Sequence, residues 1–298
     1  MGRTLWRHGL VLAALLSLAP TWASAAPACP RACLKGVLDT YLRAVLKHDP
    51  AAAALGAGER ETQNGVVAAP GEGVWRTASA LGSLQRRYLD PVSGQAAYLG
   101  LIQENGAPAL VSLRLRVVGR RVTEAEWTIA RNDGSGLFGE DLLKIPPTDT
   151  PLPVSGRASR VTMLAAANSY FEGLTRHDSA LVRQNPGCVR IENGMLTAGP
   201  ALPGAHPMTA DCHDKLETMT QISEVAFRRF PLVDEEAGVV LGMGLFHRPP
   251  GAVNRAGKPW LRNLLTEYFA VRGGRISGIF AVMYYMPPDA PDMTGWPN

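Results

Sequence analysis

The chain has 298 residues, 46% of them hydrophobic and 19% charged, which is enough apolar material for two ordinary cores and excludes wholesale disorder. The 30 Lys and Arg against 26 Asp and Glu give a formal charge of +4. So small an excess, with the basic residues scattered, is too weak to imply nucleic acid, and no nucleic-acid partner is expected.

Residues 1–25 read as a secretory signal: Arg3 and Arg7 form the positive start, Gly9 to Leu18 the short apolar stretch, and Ala23-Ser24-Ala25 the cleavage site. The apolar run is too short to span a bilayer, and no later run is longer. The mature chain is expected to be periplasmic or secreted, with no membrane partner after cleavage. Ala26-Pro27-Ala28-Cys29 lacks the Leu of a lipoprotein signal. Four cysteines suit an oxidising compartment and are expected to pair as Cys29–Cys33 and Cys188–Cys212. Cys-x3-Cys without a second such pair is not a zinc spacing, and no metal is expected.

The chain is written twice. Tyr41 to Asp49 (YLRAVLKHD) matches Tyr170 to Asp178 (YFEGLTRHD) at a separation of 129, and the same separation takes Asn64-Gly65 to Asn193-Gly194. It also takes Leu34, Val37, Leu38, Tyr41, Leu42 and Val45 to Met163, Ala166, Ala167, Tyr170, Phe171 and Leu174. That stripe predicts one amphipathic helix in each half. Arg86-Arg87-Tyr88 before Asp90 then matches Arg228-Arg229-Phe230 before Asp234, and these acids are expected in hairpin turns. A closing hairpin around Gly119 recurs around Gly273, now 154 residues on, so the second half has gained 25 residues, mostly between Thr197 and Thr218. The proline-rich stretch 145–159 predicts a linker between a first domain, 26–144, and a second, 160–298. Each half reads as α+β, a curved antiparallel sheet with helices on one face.

These residues carry a resemblance. The helix ending in His48-Asp49 or His177-Asp178, the strand soon after it, and the closing hairpins at Gly119-Arg120-Arg121 and Gly273-Gly274-Arg275 resemble the nuclear-transport-factor-2-like (NTF2-like, or SnoaL-like) cone. Glu192-Asn193-Gly194 and Val233-Asp234-Glu235-Glu236 resemble segments of a poorly characterised secreted tandem form of that cone. The resemblance implies two tandem cones. It implies no single function, because the cone hosts isomerases, dehydratases, cyclases, hydrolases and pure binding modules.

Strand parity sharpens the reading. Pairing Arg116 with Glu124 and Arg114 with Glu126 puts the charges of the first hairpin on one, outward and solvated, face. Leu113 and Trp127 then share the other. The same register in the second hairpin turns Leu265, Glu267, Phe269, Val271, Ile279, Ala281 and Met283 inward. Glu267 replaces the inner Leu113 of the first half, and burial should raise its pKa. The plain alternative is a sheet-edge acid paired with Arg228 or Arg229.

Resemblance to ketosteroid isomerase, a member of the cone family, implies a role for it. That enzyme's tyrosine lies eight residues before the helix-ending Asp, as Tyr170 and Tyr41 do here, and its neutral acid lies six before the hairpin Gly, as Glu267 does. Asn193 and Asn64 stand near the place of its base but cannot accept a proton at neutral pH. The resemblance therefore implies Tyr170 and Glu267 as acids and Asn193 as a substrate-positioning group. His213 or His247 would move the proton. Phe269 and Met283 would wall the site, and Tyr41, Asn64 and Trp127 would line a first cone that binds or is structural. No nucleotide, metalloprotease or serine-hydrolase motif is present, so no cofactor is expected.

Two functions follow. One is a cofactor-independent lyase, isomerase or dehydratase acting by general acid–base chemistry on a mostly apolar small molecule bearing a carbonyl or hydroxyl. The other is a non-catalytic binding or interaction module. The apolar outer positions Tyr268, Ala270, Phe280 and Val282 predict contact with another surface, either the other domain's sheet in a pseudo-dimer or another subunit.

Overall fold

The computed structural model describes residues 1–2, 29–254, 257–291 and 294–296. The expected signal segment lies almost wholly outside the described residues. Each half opens with its helix, α1 (Arg31–Leu46) or α3 (Arg160–Arg176). The first half adds β1 (Leu55–Gln63), β2 (Val66–Ala68), the one-turn α2 (Val74–Thr77), β3 (Ala78–Asp90), β4 (Gln95–Glu104), β5 (Ala107–Val118) and β6 (Arg121–Arg131). The second adds β7 (Gln184–Glu192), β8 (Met195–Ala198), β9 (Glu224–Asp234), β10 (Val239–His247), β11 (Asn263–Arg272) and β12 (Arg275–Tyr285).

Both long helices bury the predicted stripe: Leu34, Leu38, Tyr41, Leu42 and Val45 on α1, Met163, Ala166, Ala167, Tyr170, Phe171 and Leu174 on α3. The repeated His-Asp pair ends them. His48 and His177 adopt the left-handed conformation (φ 56° and 50°) that stops a helix, and Asp49 and Asp178 accept the backbone N–H of Ala51 and Ala180 to start the next turn. Two disulfides form as expected, Cys29–Cys33 and Cys188–Cys212.

Each sheet has six strands, ordered β2-β1-β6-β5-β4-β3 and β8-β7-β12-β11-β10-β9. The sheets are mixed rather than wholly antiparallel, because β1 runs parallel to β6 and β7 to β12. The first strand after the helix is laid against the last strand of its own half, and that return fixes the parallel sense. Asp90 and Asp234 stand 144 residues apart. The inserted 25 residues therefore divide: 15 lie in the loop 199–223 and ten in 248–262, between β10 and β11.

Both hairpin registers form as the parity requires, with Arg114 opposite Glu126, Arg116 opposite Glu124, and Glu267 opposite Ala281. The first hairpin's charged face is not solvated throughout. Arg116 and Glu124 lie at the surface, but Arg114 and Glu126 are buried, and Glu126 also accepts from Arg229 of the second half at 2.6 Å. The reason is that the outer faces of the two sheets pack against each other. Leu84, Tyr88, Leu99 and Leu110 of one meet Leu241, Met243, Tyr268 and Phe280 of the other in one apolar cluster. Tyr268 donates to the Tyr98 carbonyl at 3.1 Å, and its hydroxyl lies 2.6 Å from that of Ser112. Residues 139–142 cross to the second half, where the Gly139 and Leu142 N–H groups meet the Asn193 and Gly194 carbonyls.

Asn64 and Asn193 begin tight Asn-Gly turns with both residues at positive φ. Their side chains act as extra rungs of the ladder. Asn193 donates to the Met283 carbonyl at 2.9 Å and accepts its N–H at 2.7 Å. Asn64 does the same with Ile129, at 3.3 and 2.7 Å. Each amide thus spends one donor and one acceptor on the backbone of its own cone, a structural use that the sequence reading did not foresee. Asn193→Ala is expected to lose about 2 kcal/mol of stability in urea unfolding, because it leaves buried backbone groups of Met283 unpaired.

Candidate functional site

Inside the second cone, the row Gly242, Glu267, Ala281 and Glu192 runs across β10, β11, β12 and β7. Residues directly opposite on neighbouring strands share a face. Ala281, Phe269 and Met283 of this face pack with Tyr170 and Phe171 of α3, so the face is the concave one. Arg190 lies two residues before Glu192 and shares it.

Glu267 is 0% exposed, and neither carboxylate oxygen has a hydrogen-bond partner. Burial first, then the negative charge of Glu192, pushes its pKa up to about 8, against the opposing pull of Arg190. At neutral pH it is mainly a carboxylic acid. Tyr170 is also fully buried, and its phenol is pushed upward chiefly by burial. Its oxygen accepts from Arg190 Nη1 at 3.0 Å. Arg190 is clamped by two further contacts: Nε donates to Thr197 Oγ1 at 3.1 Å and Nη1 to the Cys212 carbonyl at 3.1 Å. Glu192 Oε2 lies 3.9 Å from Arg190 Nε, with its side chain 17% exposed. The site thus grades from a buried acid to a carboxylate at the rim. Beyond it Arg248, pushed down to about 10 by burial, and Tyr285 both feel the Glu192 charge.

The structure therefore brings Tyr170, Glu267, Phe269 and Met283 together. It does not bring either histidine to them. The His213 ring is tied to Gln184, at the far end of β7 from Glu192, and to Asp214. His247 follows the inward Phe246 on β10, so alternation turns it to the other face, where it lies 3.5 Å from Glu224. Asp211 accepts the N–H groups of Gly187, Cys188 and Cys212. The sulfurs beside it are joined in the disulfide, so Cys188, Asp211 and Cys212 offer no thiolate to an ion.

Arg190 and Glu192 were missed from sequence. Glu192 stands beside Asn193, and its pairing opposite Ala281 puts it on the inner face. The separation of 129 also takes Glu61 to Arg190. In the first cone Tyr41 donates to Glu61 at 2.7 Å, and Trp75 and Gln63 donate to it as well. Trp127 packs beside Tyr41, 6.3 Å between ring centres. There the central group is an acid saturated with donors, whereas the second cone has a cation with donors to spare. Glu59, next on the same strand face, is pushed up to about 7 by burial and by Glu61. A hollow of about 440 Å³ lies outside both cones, between Val66, Val67, Pro291 and Trp296, with no acid–base pair in its lining.

A helix packed on the concave face of a six-stranded mixed sheet, with the last two strands closing on the first, is the NTF2-like cone, and the chain is a tandem of two. A family described as a domain of unknown function (DUF8021) matches residues 156–283, the second cone. Solved structures are similar at low identity. An NTF2-like protein of unknown function from Cytophaga hutchinsonii is 10% identical over 32% of this chain and 88% of its own, with a TM-score of 0.28. An NTF2-like protein from Burkholderia xenovorans is 13% identical over 43% and 92%, with a TM-score of 0.27. AclR from Streptomyces galilaeus, a proposed hydroxylase, is 14% identical over 45% and 91%, with a TM-score of 0.31. No curated protein matches.

Proposed function

We propose that the second cone is an acid–base site that moves a proton on a small molecule bearing a carbonyl or hydroxyl, in a chain that works outside the cytoplasm. One observation carries the chemistry: a wholly buried carboxyl, Glu267, with both oxygens unpartnered, shares a strand row with a second carboxylate at the rim. Two carboxyl groups held in different environments divide into an acid and a base. Glu192, at the rim and 3.9 Å from the Arg190 guanidinium, takes the proton from the carbon next to the carbonyl. As negative charge develops on the oxygen, Glu267 and Tyr170 donate to it, and their hydrogen bonds strengthen at that point. Return of the proton at another carbon gives isomerisation. Expulsion of a β-hydroxyl, which takes up the proton held by Glu192 and leaves as water, gives dehydration. The two disulfides support an oxidising location.

The test is deuterium exchange into substrate. The chain beginning at Ala26 is incubated in D2O with enolisable ketones, lactones, hydroxy-ketones and their carboxylate-bearing analogues, and the small molecules are read by mass spectrometry. Uptake is expected to fall at least 100-fold in Glu267→Gln and in Glu192→Gln, in keeping with removal of one general acid or base. Turnover that survives both Glu267→Gln and Tyr170→Phe removes the site. A silent panel with neutral ligands still raising the melting temperature supports the binding-module reading instead.

A further inference from the structure

The polar groups of the second cone are unequally used. Arg190 has five N–H donors in a rigid fork. Nε and Nη1 are occupied by Thr197, Tyr170 and the Cys212 carbonyl. Nη2 makes no hydrogen bond among the described residues, and its acidic neighbour Glu192 stands 3.9 Å from Nε. The Tyr170 hydroxyl accepts from Arg190, and its own proton meets no acceptor among the described residues. Both oxygens of Glu267 are unpartnered. A buried guanidinium, a buried phenol and a buried carboxyl thus all present unused hydrogen-bonding groups within one electrostatically coupled cluster. Buried polar groups in folded proteins are almost always satisfied. The Glu267 oxygens are buried and unpartnered, and the unused donors of Arg190 and Tyr170 share their face, so the group points to a ligand that engages them.

The sign of the cluster selects the ligand. Arg190 is the cation of this face, and its clamped plane presents the Nη2 edge without loss of side-chain freedom on binding. Glu192 is the opposing charge at the rim, 3.9 Å from Arg190 Nε, which leaves the free Nη2 edge of the guanidinium for a single carboxylate. Phe269, Phe171, Ile279 and Met283 around it are apolar. The first cone cannot do this, because its matching position is Glu61, saturated by Tyr41, Trp75 and Gln63.

Resting on the acid–base reading of the same site, we infer that the second cone takes a small monocarboxylic acid with an apolar body. Its carboxylate accepts from Arg190 Nη2, and its carbonyl or hydroxyl oxygen meets the Tyr170 hydroxyl and the Glu267 carboxyl. Arg190 is then a ligand-binding residue as well as the group that orients Tyr170.

Calorimetric titration with benzoate and phenylacetate, against benzamide as the uncharged match in shape, tests the anion site without any turnover. Benzoate is expected to bind at least tenfold more tightly than benzamide. Glu192→Gln is expected to tighten benzoate roughly tenfold by removing a like charge near the guanidinium, and Arg190→Gln to abolish it. Should Arg190→Gln fail to fold, the Glu192→Gln titration still decides. Equal affinity for benzoate and benzamide, an unchanged benzoate affinity in Glu192→Gln, or no binding of either acid at millimolar concentration each overturns the inference. The two readings fail separately. Glu267-dependent exchange on a neutral ketone, with no benzoate binding, leaves acid–base chemistry and removes the anion site. Benzoate binding with no exchange on any panel member does the reverse.

Discussion

Asp234→Ala is expected to lower the unfolding free energy by about 3–5 kcal/mol, the usual loss when one partner of a buried ion pair is removed. Asp234 is 0% exposed and accepts from Arg31 Nη1 and Nη2 at 2.6 and 2.8 Å, from the Leu89 N–H at 2.8 Å and from the Ala237 N–H at 3.0 Å. Arg31 and Leu89 belong to the first cone and Asp234 to the second. The exchange is reciprocal: Asp90 of the first cone accepts from Arg160 Nη1 and Nη2 at 3.0 and 2.6 Å and from the Val233 N–H at 2.9 Å. Arg31 and Arg160 are the first residues of their helices, 129 apart, so the duplication has written the same clasp twice across a pseudo-twofold axis. Burial pushes the Asp90 carboxyl up, but hydrogen bonds from Arg160, Ser93 and Val233 outweigh it and hold the pKa below its usual 3.8. Its contribution is therefore complete above about pH 4 and is lost as pH falls through the lower folded value. Urea unfolding at pH 7 and pH 3 checks both parts. Asp234→Ala should lose stability at pH 7, and Asp90→Asn should flatten the acid limb. An Asp234→Ala midpoint equal to that of the parent would mean that the clasp adds nothing to the packed interface around Tyr268 and Leu241.

That clasp shows where the sequence was legible and where it was not. Periodicity and repetition gave the two helices, the closing hairpins and their registers, because each is set by local alternation. The turn role of Asp90 and Asp234 was also readable. Their partners were not, since Arg31 lies 203 residues from Asp234 and nothing in either neighbourhood encodes that distance. Arg114 and Glu126 looked like a solvated face for the same reason: parity tells inside from outside of one sheet, but not whether a second sheet covers the outside. The candidate site was half legible. Glu267 stood out as a charge in an apolar row, and Tyr170 through its repeated spacing. Arg190 and Glu192 were not legible, because neither repeats in the first half and the Asn-Gly beside them is a turn whose asparagine closes on the backbone. The repeat itself carried the missing signal, in the change from Glu61 to Arg190.

Glu267→Met should make the protein more stable and inactive at once. The carboxyl is buried without a partner, and replacing an unsatisfied polar group with an apolar one of similar size is expected to add about 1–3 kcal/mol at pH 7. A residue kept at a cost to stability is the mark of a functional site rather than of the core. The pH dependence separates this from simple repacking. The folded pKa of Glu267 is raised from 4.5 to about 8, so the folded state holds its proton more tightly than the unfolded chain does. Its contribution is fully present below about pH 4.5 and is lost as pH rises towards 8, by about 1.4 kcal/mol for each unit in that window. Glu267→Gln keeps the shape and removes the titration. Its stability should nearly equal that of the parent at pH 5 and exceed it clearly at pH 9, where the parent carries an unpaired buried charge. Urea midpoints at pH 5, 7 and 9 for the parent, Glu267→Gln and Glu267→Met give the answer. Parallel curves for parent and Glu267→Gln would show that Glu267 ionises normally, and the buried acid on which the proposed chemistry depends would be gone.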